Sequence, residues 1–281
     1  MSSHWTPSGE WAETARESEE DVTELIEQLE QSTDLIDGVW TFAYGSMLAQ
    51  CAVDPLGERI ETWDGVVRTL QIGAALYQVT DGTTGPVECF IDNKVRQLPP
   101  AGSAARGTVI TWLTTFYLAV ICADGARLQL LSEVSMDRLR IPGLVFDDFW
   151  YSWADTLATW YRQEPGAAEK LETTIEQSYR EVATVMSHDR LDKIAYQPIN
   201  LFYTLMRSRD EFNEELVGAL WHHREYWTAT PDRRKDSEGC LALGPLAMAC
   251  MATDMGVKLV VESEYIPRHL VRGSWRDEFP I

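Results

Sequence analysis

Apolar positions recur along most of the chain at spacings of three, four and seven, the period of a helix with one buried face. From about Glu13 the residues Val22, Ile26, Leu29, Ile36, Trp40, Ala43 and Met47 fall on one side, with Gly38 as a point where the helix can bend. Pro55 and Gly57 close this stretch. Glu61 to Val79 predicts a second helix carried by Trp63, Val67, Leu70, Ala74 and Tyr77. Gly82 to Pro86 predicts a loop. Val87 to Asp92 is the best strand candidate of the first half, in a region that ends at Pro99-Pro100. Thr108 to Cys122 is ambiguous. Its β-branched residues suit a strand, whereas its length suits a helix. We assign a helix, with Ser103 as a candidate N-cap and Gly125 near its C-terminal stop.

The second half is predicted to be helical almost throughout. Phe146 to Gln163 carries the aromatic run Phe149-Trp150-Tyr151-Ser152-Trp153, and Pro165-Gly166 breaks it. Ala167 to Met186 is amphipathic through Leu171, Ile175, Tyr179 and Val182. Ser187 is placed to cap the segment leading through Pro198 to Met206. Glu211 to Trp227 and Leu241 to Met255 are helices joined by the polar connector Thr228 to Gly239, and Gly256 stands at a C′ position. Val257 to Pro267 is strand-like, and Pro267 suits the first turn of a last short helix. No linker of domain-separating length interrupts the pattern. The expected fold is therefore mostly α: a helical-hairpin array or bundle in one domain, residues 15–281, with minor short β segments. Residues 1–14 are expected to be loose, although Trp5 and Trp11 could dock back.

Charge changes the picture more than composition does. Forty-four acids against twenty-four bases give a net charge of -20 over 281 residues. Such a surface disfavours nucleic acid and anionic membranes and favours basic partners. Residues 1–40 hold eleven acids and one base, Arg16, so half of the net charge sits there. The candidate partner-binding acids of this segment are Glu17, Glu19, Glu20, Asp21, Glu24 and Glu27. The five cysteines form no C-x-x-C pair and read as small buried hydrophobes in a reducing compartment. No secretory signal is visible. The longest uncharged run, Gly107 to Ala123, is shorter than the roughly 20 residues a membrane span requires. A cytoplasmic location is expected, with no membrane contact.

Candidate chemistry is sparse. His222 and His223 are adjacent, so on a helix they diverge and cannot share a metal. Ser187-His188-Asp189 reads as a helix cap. Asp147-Asp148 precedes an aromatic run and is the one candidate for a hydrolase site, although adjacent acids on a helix also diverge. No Walker A, G-x-G-x-x-G, G-x-S-x-G or H-E-x-x-H motif occurs. Gly244, Ala247, Ala249 and Ala252 present small side chains that let a neighbouring helix approach closely. Glu262, Glu264 and Tyr265 end the strand-like run, placed either to contact a partner or to fix the chain end.

The stretches His223-Arg-Glu-Tyr-Trp227, Glu238-Gly-Cys-Leu-Ala-Leu-Gly-Pro-Leu-Ala-Met-Ala-Cys250, Val261-Glu-Ser-Glu-Tyr-Ile-Pro267 and Trp275-Arg-Asp-Glu-Phe-Pro280 resemble the C-terminal region of the immunity protein 49 family of bacterial polymorphic toxin systems. The resemblance implies a mostly α protein, encoded beside a toxin, that binds the toxin in the producing cell and blocks it. It implies no cofactor and no catalytic residue, and no residue is assigned to a metal. An acidic helical chain suits the inhibition of a basic toxin, because carboxylates can occupy the positions of phosphates. The residue pattern leaves two alternatives open: a helical scaffold that binds peptides in a groove, and a hydrolase centred on Asp147 and Asp148.

Overall fold

The structure, a computed structural model, describes residues 1–5, 9–80, 84–101 and 105–276. Three helices open it: α1 (Gly9–Gln28), α2 (Ile36–Val53) and α3 (Ile60–Val79). Helix α1 packs on α2 and buries Ala15, Val22 and Ile26, with Leu29 buried just past its end; the last three follow the predicted spacing. The first long helical stretch breaks earlier than expected. Gly38 lies inside α2, and the chain turns between Leu29 and Leu35. There Thr33 is buried and its hydroxyl donates to the Pro99 carbonyl at 2.9 Å. That bond ties the turn to the end of the first β segment. The amino-terminal residues also differ from expectation, because α1 already begins at Gly9. Trp5 and Trp11 meet edge to face at 4.8 Å and pack against the main core, which offsets the entropy of ordering this end.

Strands β1 (Val87–Ile91) and β2 (Lys94–Leu98) form an antiparallel hairpin. Only β1 is predicted by pattern. Asp92 and Asn93 both take positive φ, 55° and 58°, which is the two-residue turn that matches strand twist. Strand β2 hides its alternation because one of its two buried residues is Arg96. Its Nε donates to the Ile91 carbonyl at 3.2 Å and its guanidinium lies 3.8 Å from Glu30.

Thr108 to Cys122 is helical, as α4 (Val109–Cys122). Thr108 caps it by accepting from the Thr111 amide at 3.1 Å, whereas Ser103 lies outside the described residues. Nearly every α4 side chain is buried, which explains why this helix carries no polar face. It ends at Ala123 in the left-handed conformation. Gly125 then starts a further helix, α5 (Gly125–Ser132), capped by Asp124.

Helices α6 (Asp148–Tyr161) and α7 (Ala167–Gln177) pair as a hairpin. The predicted helix to Met186 stops at Gln177, leaving Tyr179, Val182 and Val185 exposed. Ser178 turns its hydroxyl back to the Ile175 carbonyl at 2.7 Å, and the Asp147 carboxylate takes the Val185 and Met186 amides at 2.8 Å each. These side-chain bonds replace the helical ladder. Ser187 caps α8 (His188–Arg190), which runs through a π turn at Leu191–Ala195 into α9 (Tyr196–Arg207). Helices α10 (Phe212–Thr228), α11 (Pro231–Arg234), α12 (Leu243–Asp254) and α13 (Arg268–Val271) complete the order. The run from Val257 to Pro267 pairs as strand only through one bridge, Ser263 with Ile266. The fold is thus mostly α in one domain, with the β content of the described residues limited to the hairpin and that bridge.

The core around α4 and α12 needs small residues where elements cross. A Cβ on Gly73 of α3 would stand 2.4 Å from Thr115 Oγ1 and 2.9 Å from Trp40 Nε1. Thr115 is fully buried and β-branched, so it has no room to rotate away. Gly73→Ala is expected to cost about 2 kcal/mol net, because overpacking outweighs the better helix propensity of alanine. Gly38→Ala meets nothing within 4 Å and should instead stabilise α2 by up to about 1 kcal/mol. Urea unfolding of both variants checks the pair. Equal effects would refute the crossing argument.

Candidate interaction surfaces

The outer face of α1 is acidic along its length. Glu13, Glu17, Glu20, Asp21, Glu24 and Glu27 are exposed. Arg16 pairs with Glu20 at 3.0 Å and approaches Glu17 at 3.9 Å. Glu19 belongs to a different environment. It is half-buried, bonded to Arg68 at 3.3 Å and to the Gln50 amide at 3.2 Å, so it joins α1 to α2 and α3. The exposed stripe opposes helix formation in two ways. Glu13 and Glu17, Glu17 and Asp21, and Glu20 and Glu24 are like charges one turn apart. The last turn carries no base, so Glu24 and Glu27 sit towards the negative end of the helix dipole.

The C-terminal candidates are placed otherwise. Tyr265 is fully buried, which removes it from any surface contact. Its hydroxyl accepts from the His4 amide at 2.9 Å and lies 2.8 Å from His4 Nδ1, while its ring meets His223 edge to face at 4.9 Å. The Glu264 carboxylate accepts from the Ser3 amide at 2.7 Å. The Glu262 carbonyl accepts from the Met1 ammonium, and its side chain is exposed. Glu264 and Tyr265 thus hold a chain end. That end is the amino-terminal one, which no local pattern signals.

Asp147 and Asp148 have different surroundings. Asp147 is buried and anchors residues 185 and 186, while Asp148 is exposed and bonded to Arg140 at 2.9 Å. The Arg140 guanidinium stacks 3.9 Å over the Tyr151 ring. Both carboxylates thus have structural partners.

A half-open cavity of about 130 Å³ lies where α2, α6, α9, α10 and the start of α12 converge. Tyr44, Tyr117, Trp150 and Trp227 supply aromatic wall, and Lys193, Gln197, His223 and Glu238 the polar groups. His223 is buried, with Nε2 3.0 Å from the Gly239 carbonyl. A carbonyl only accepts, so Nε2 carries the proton, and burial pushes the imidazole pKa down to about 4. Glu238 bonds Arg190 through Oε2 at 3.3 Å, and desolvation raises its pKa. Burial also raises that of Tyr44, helped by the nearby Glu238 charge. Lys193 is held by Asp189 at 3.0 Å and Glu225 at 3.5 Å. Sequence reasoning missed this site. Nothing local joins Tyr44 to Glu238 or marks Trp150 and Trp227 as the wall of a cavity.

Among the described residues no group of three or more histidines, cysteines or acids is placed to hold a metal ion. Among them, too, no helix is long and apolar enough to cross a membrane. All five cysteines are free and buried. A family model described as Immunity protein 49 matches residues 54–270. No curated protein and no solved structure matches the chain.

Proposed function

Because the chain belongs to the immunity protein 49 family, we propose that it binds and neutralises a cognate polymorphic toxin in the cytoplasm of the producing cell, through a stoichiometric protein–protein complex and without catalysis. The observation that carries this reading is the family match over residues 54–270, most of the chain.

The exposed face of α1 is the proposed contact for a basic toxin. Glu17, Glu20, Asp21, Glu24 and Glu27 project from a helix whose folding their mutual repulsion opposes, and a basic partner relieves that cost. The face lies outside the matched span, as suits a surface fitted to one particular toxin. Glu262 offers a further exposed acid near the other chain end. Glu19 is excluded because Arg68 and Gln50 already occupy it.

Replacing Glu17, Glu20, Glu24 and Glu27 by Gln and Asp21 by Asn is expected to slow association with the toxin at low salt by roughly tenfold and to flatten its salt dependence. Stopped-flow mixing with the toxin domain encoded beside the gene measures both. Unchanged association kinetics would remove α1 from the interface and leave the inhibitor reading intact.

A further inference from the structure

We propose that the cavity between α2, α9, α10 and the start of α12 receives a guanidinium or ammonium side chain of the partner, held by Glu238 and by aromatic faces. This rests on the reading of the chain as an inhibitor of a basic toxin, and it names the anchor of that complex.

A cavity of about 130 Å³ is close to the roughly 150 Å³ that accommodates a benzene ring, so it has room for one planar guanidinium and its stem. Tyr44, Trp150 and Trp227 line it, and the negative faces of such rings attract organic cations. The polar groups then decide the sign of the ligand. Glu238 reaches the cavity with a carboxylate of which Arg190 takes only Oε2, and Oε1 accepts no hydrogen bond from the described residues. The Tyr44 hydroxyl has no hydrogen-bond partner among them either. His223 is neutral, so it adds no positive charge. Lys193 is the one cationic group of the lining, and Asp189 and Glu225 already neutralise it. An anion would meet the free Glu238 oxygen and find no unpaired base in the lining. A neutral apolar group would cover the carboxylate and leave Oε1 without a hydrogen bond, which costs free energy. A cation satisfies the carboxylate, the hydroxyl and the rings together.

The site also explains a feature of the fold. Glu238 is kept at the cavity mouth by a tight connector. A Cβ on Gly239 would stand 3.0 Å from Trp227 Cγ and 3.2 Å from His4 Cε1, so a larger residue there requires those rings to shift by a few tenths of an ångström. His223 fixes the same point through the Gly239 carbonyl. The carboxylate is thereby set in place before any partner arrives, which cuts the ordering cost of binding.

The test uses the full chain, the toxin domain encoded beside its gene, and two small probes. Ethylguanidinium carries the proposed charge, and N-ethylurea has nearly the same shape without it. The indole N–H resonances of Trp150 and Trp227 report occupancy. Saturable shifts with ethylguanidinium and none with N-ethylurea are expected. Glu238→Gln should weaken the probe by roughly tenfold, and the toxin by at least as much. The Arg190 pair lost in this variant is exposed and contributes little to folding, and Tyr44→Phe is a second variant that keeps the ring. Toxin affinity equal in wild type and both variants, with no probe shifts, would overturn the proposal and leave the inhibitor reading standing. Probe binding with unchanged toxin affinity would overturn the toxin side chain as the source and point to a free organic cation. Failure of the wild-type chain to bind the toxin at all would count against the inhibitor reading, and the cavity would then be judged by the two probes alone.

Discussion

Replacing Trp153 by alanine is expected to lower the unfolding free energy by about 3–5 kcal/mol, the range for deleting a large buried aromatic side chain. Trp153 is fully buried on α6. Its indole Nε1 donates to the Tyr117 hydroxyl at 2.6 Å, joining α6 to α4, and its ring meets Phe202 of α9 edge to face at 5.4 Å. Alanine would leave a cavity at this three-helix junction and a buried hydroxyl without its donor. Trp153→Phe keeps most of the ring contact and removes the hydrogen bond, so about 1–2 kcal/mol is expected. Urea unfolding gives both values. A loss below about 1 kcal/mol for the alanine variant would show that the α4–α6–α9 junction does not carry the core. Tyr117 also lines the cavity, so the same variant should disturb that wall.

The second large effect is acid destabilisation through His223. Its folded pKa lies at about 4, against about 6.5 for an unperturbed histidine, because burial disfavours the charged ring. Between these two values the unfolded chain binds a proton that the folded chain refuses. Stability therefore falls as pH falls, starting near 6.5 and levelling near 4. The slope is roughly 1.4 kcal/mol per pH unit and the total about 3 kcal/mol. The half-buried His4 is shifted in the same direction by burial and by Arg234 and Arg224, and adds to the loss. Glu238 acts oppositely. Its pKa is raised, so lowering the pH relieves its desolvation. Unfolding free energies measured from pH 7.5 to 4 should fall in the wild type. In His223→Gln they should fall less steeply, by about one bound proton. The same slope in both would place the titrating group elsewhere.

Much of the helical order was legible in the sequence because the buried faces follow a helical period. Val22, Ile26, Leu29, Ile36, Trp40, Ala43 and Met47 are all buried as the spacing predicts. Boundaries were harder to read where a side chain captures backbone at long range. Thr33 binding Pro99 and Asp147 binding residues 185 and 186 end helical runs that local pattern would continue. Strand β2 escaped notice because Arg96 is buried in a position that alternation assigns to an apolar residue. The part of Trp150 and Trp227 in a cavity emerges only when residues 44, 150, 193, 227 and 238 are brought together. The acids of α1 stood out from their charge alone. Their exposure, and the exception of Glu19, required the packing of α1 on α2 and α3.

The most direct test of the account is a calorimetric titration of the full chain with the C-terminal toxin domain encoded beside its gene. A saturable one-to-one complex and a toxin that is inactive at the equivalence point are expected. No binding at micromolar concentrations, or a complex in which the toxin keeps its activity, would contradict it.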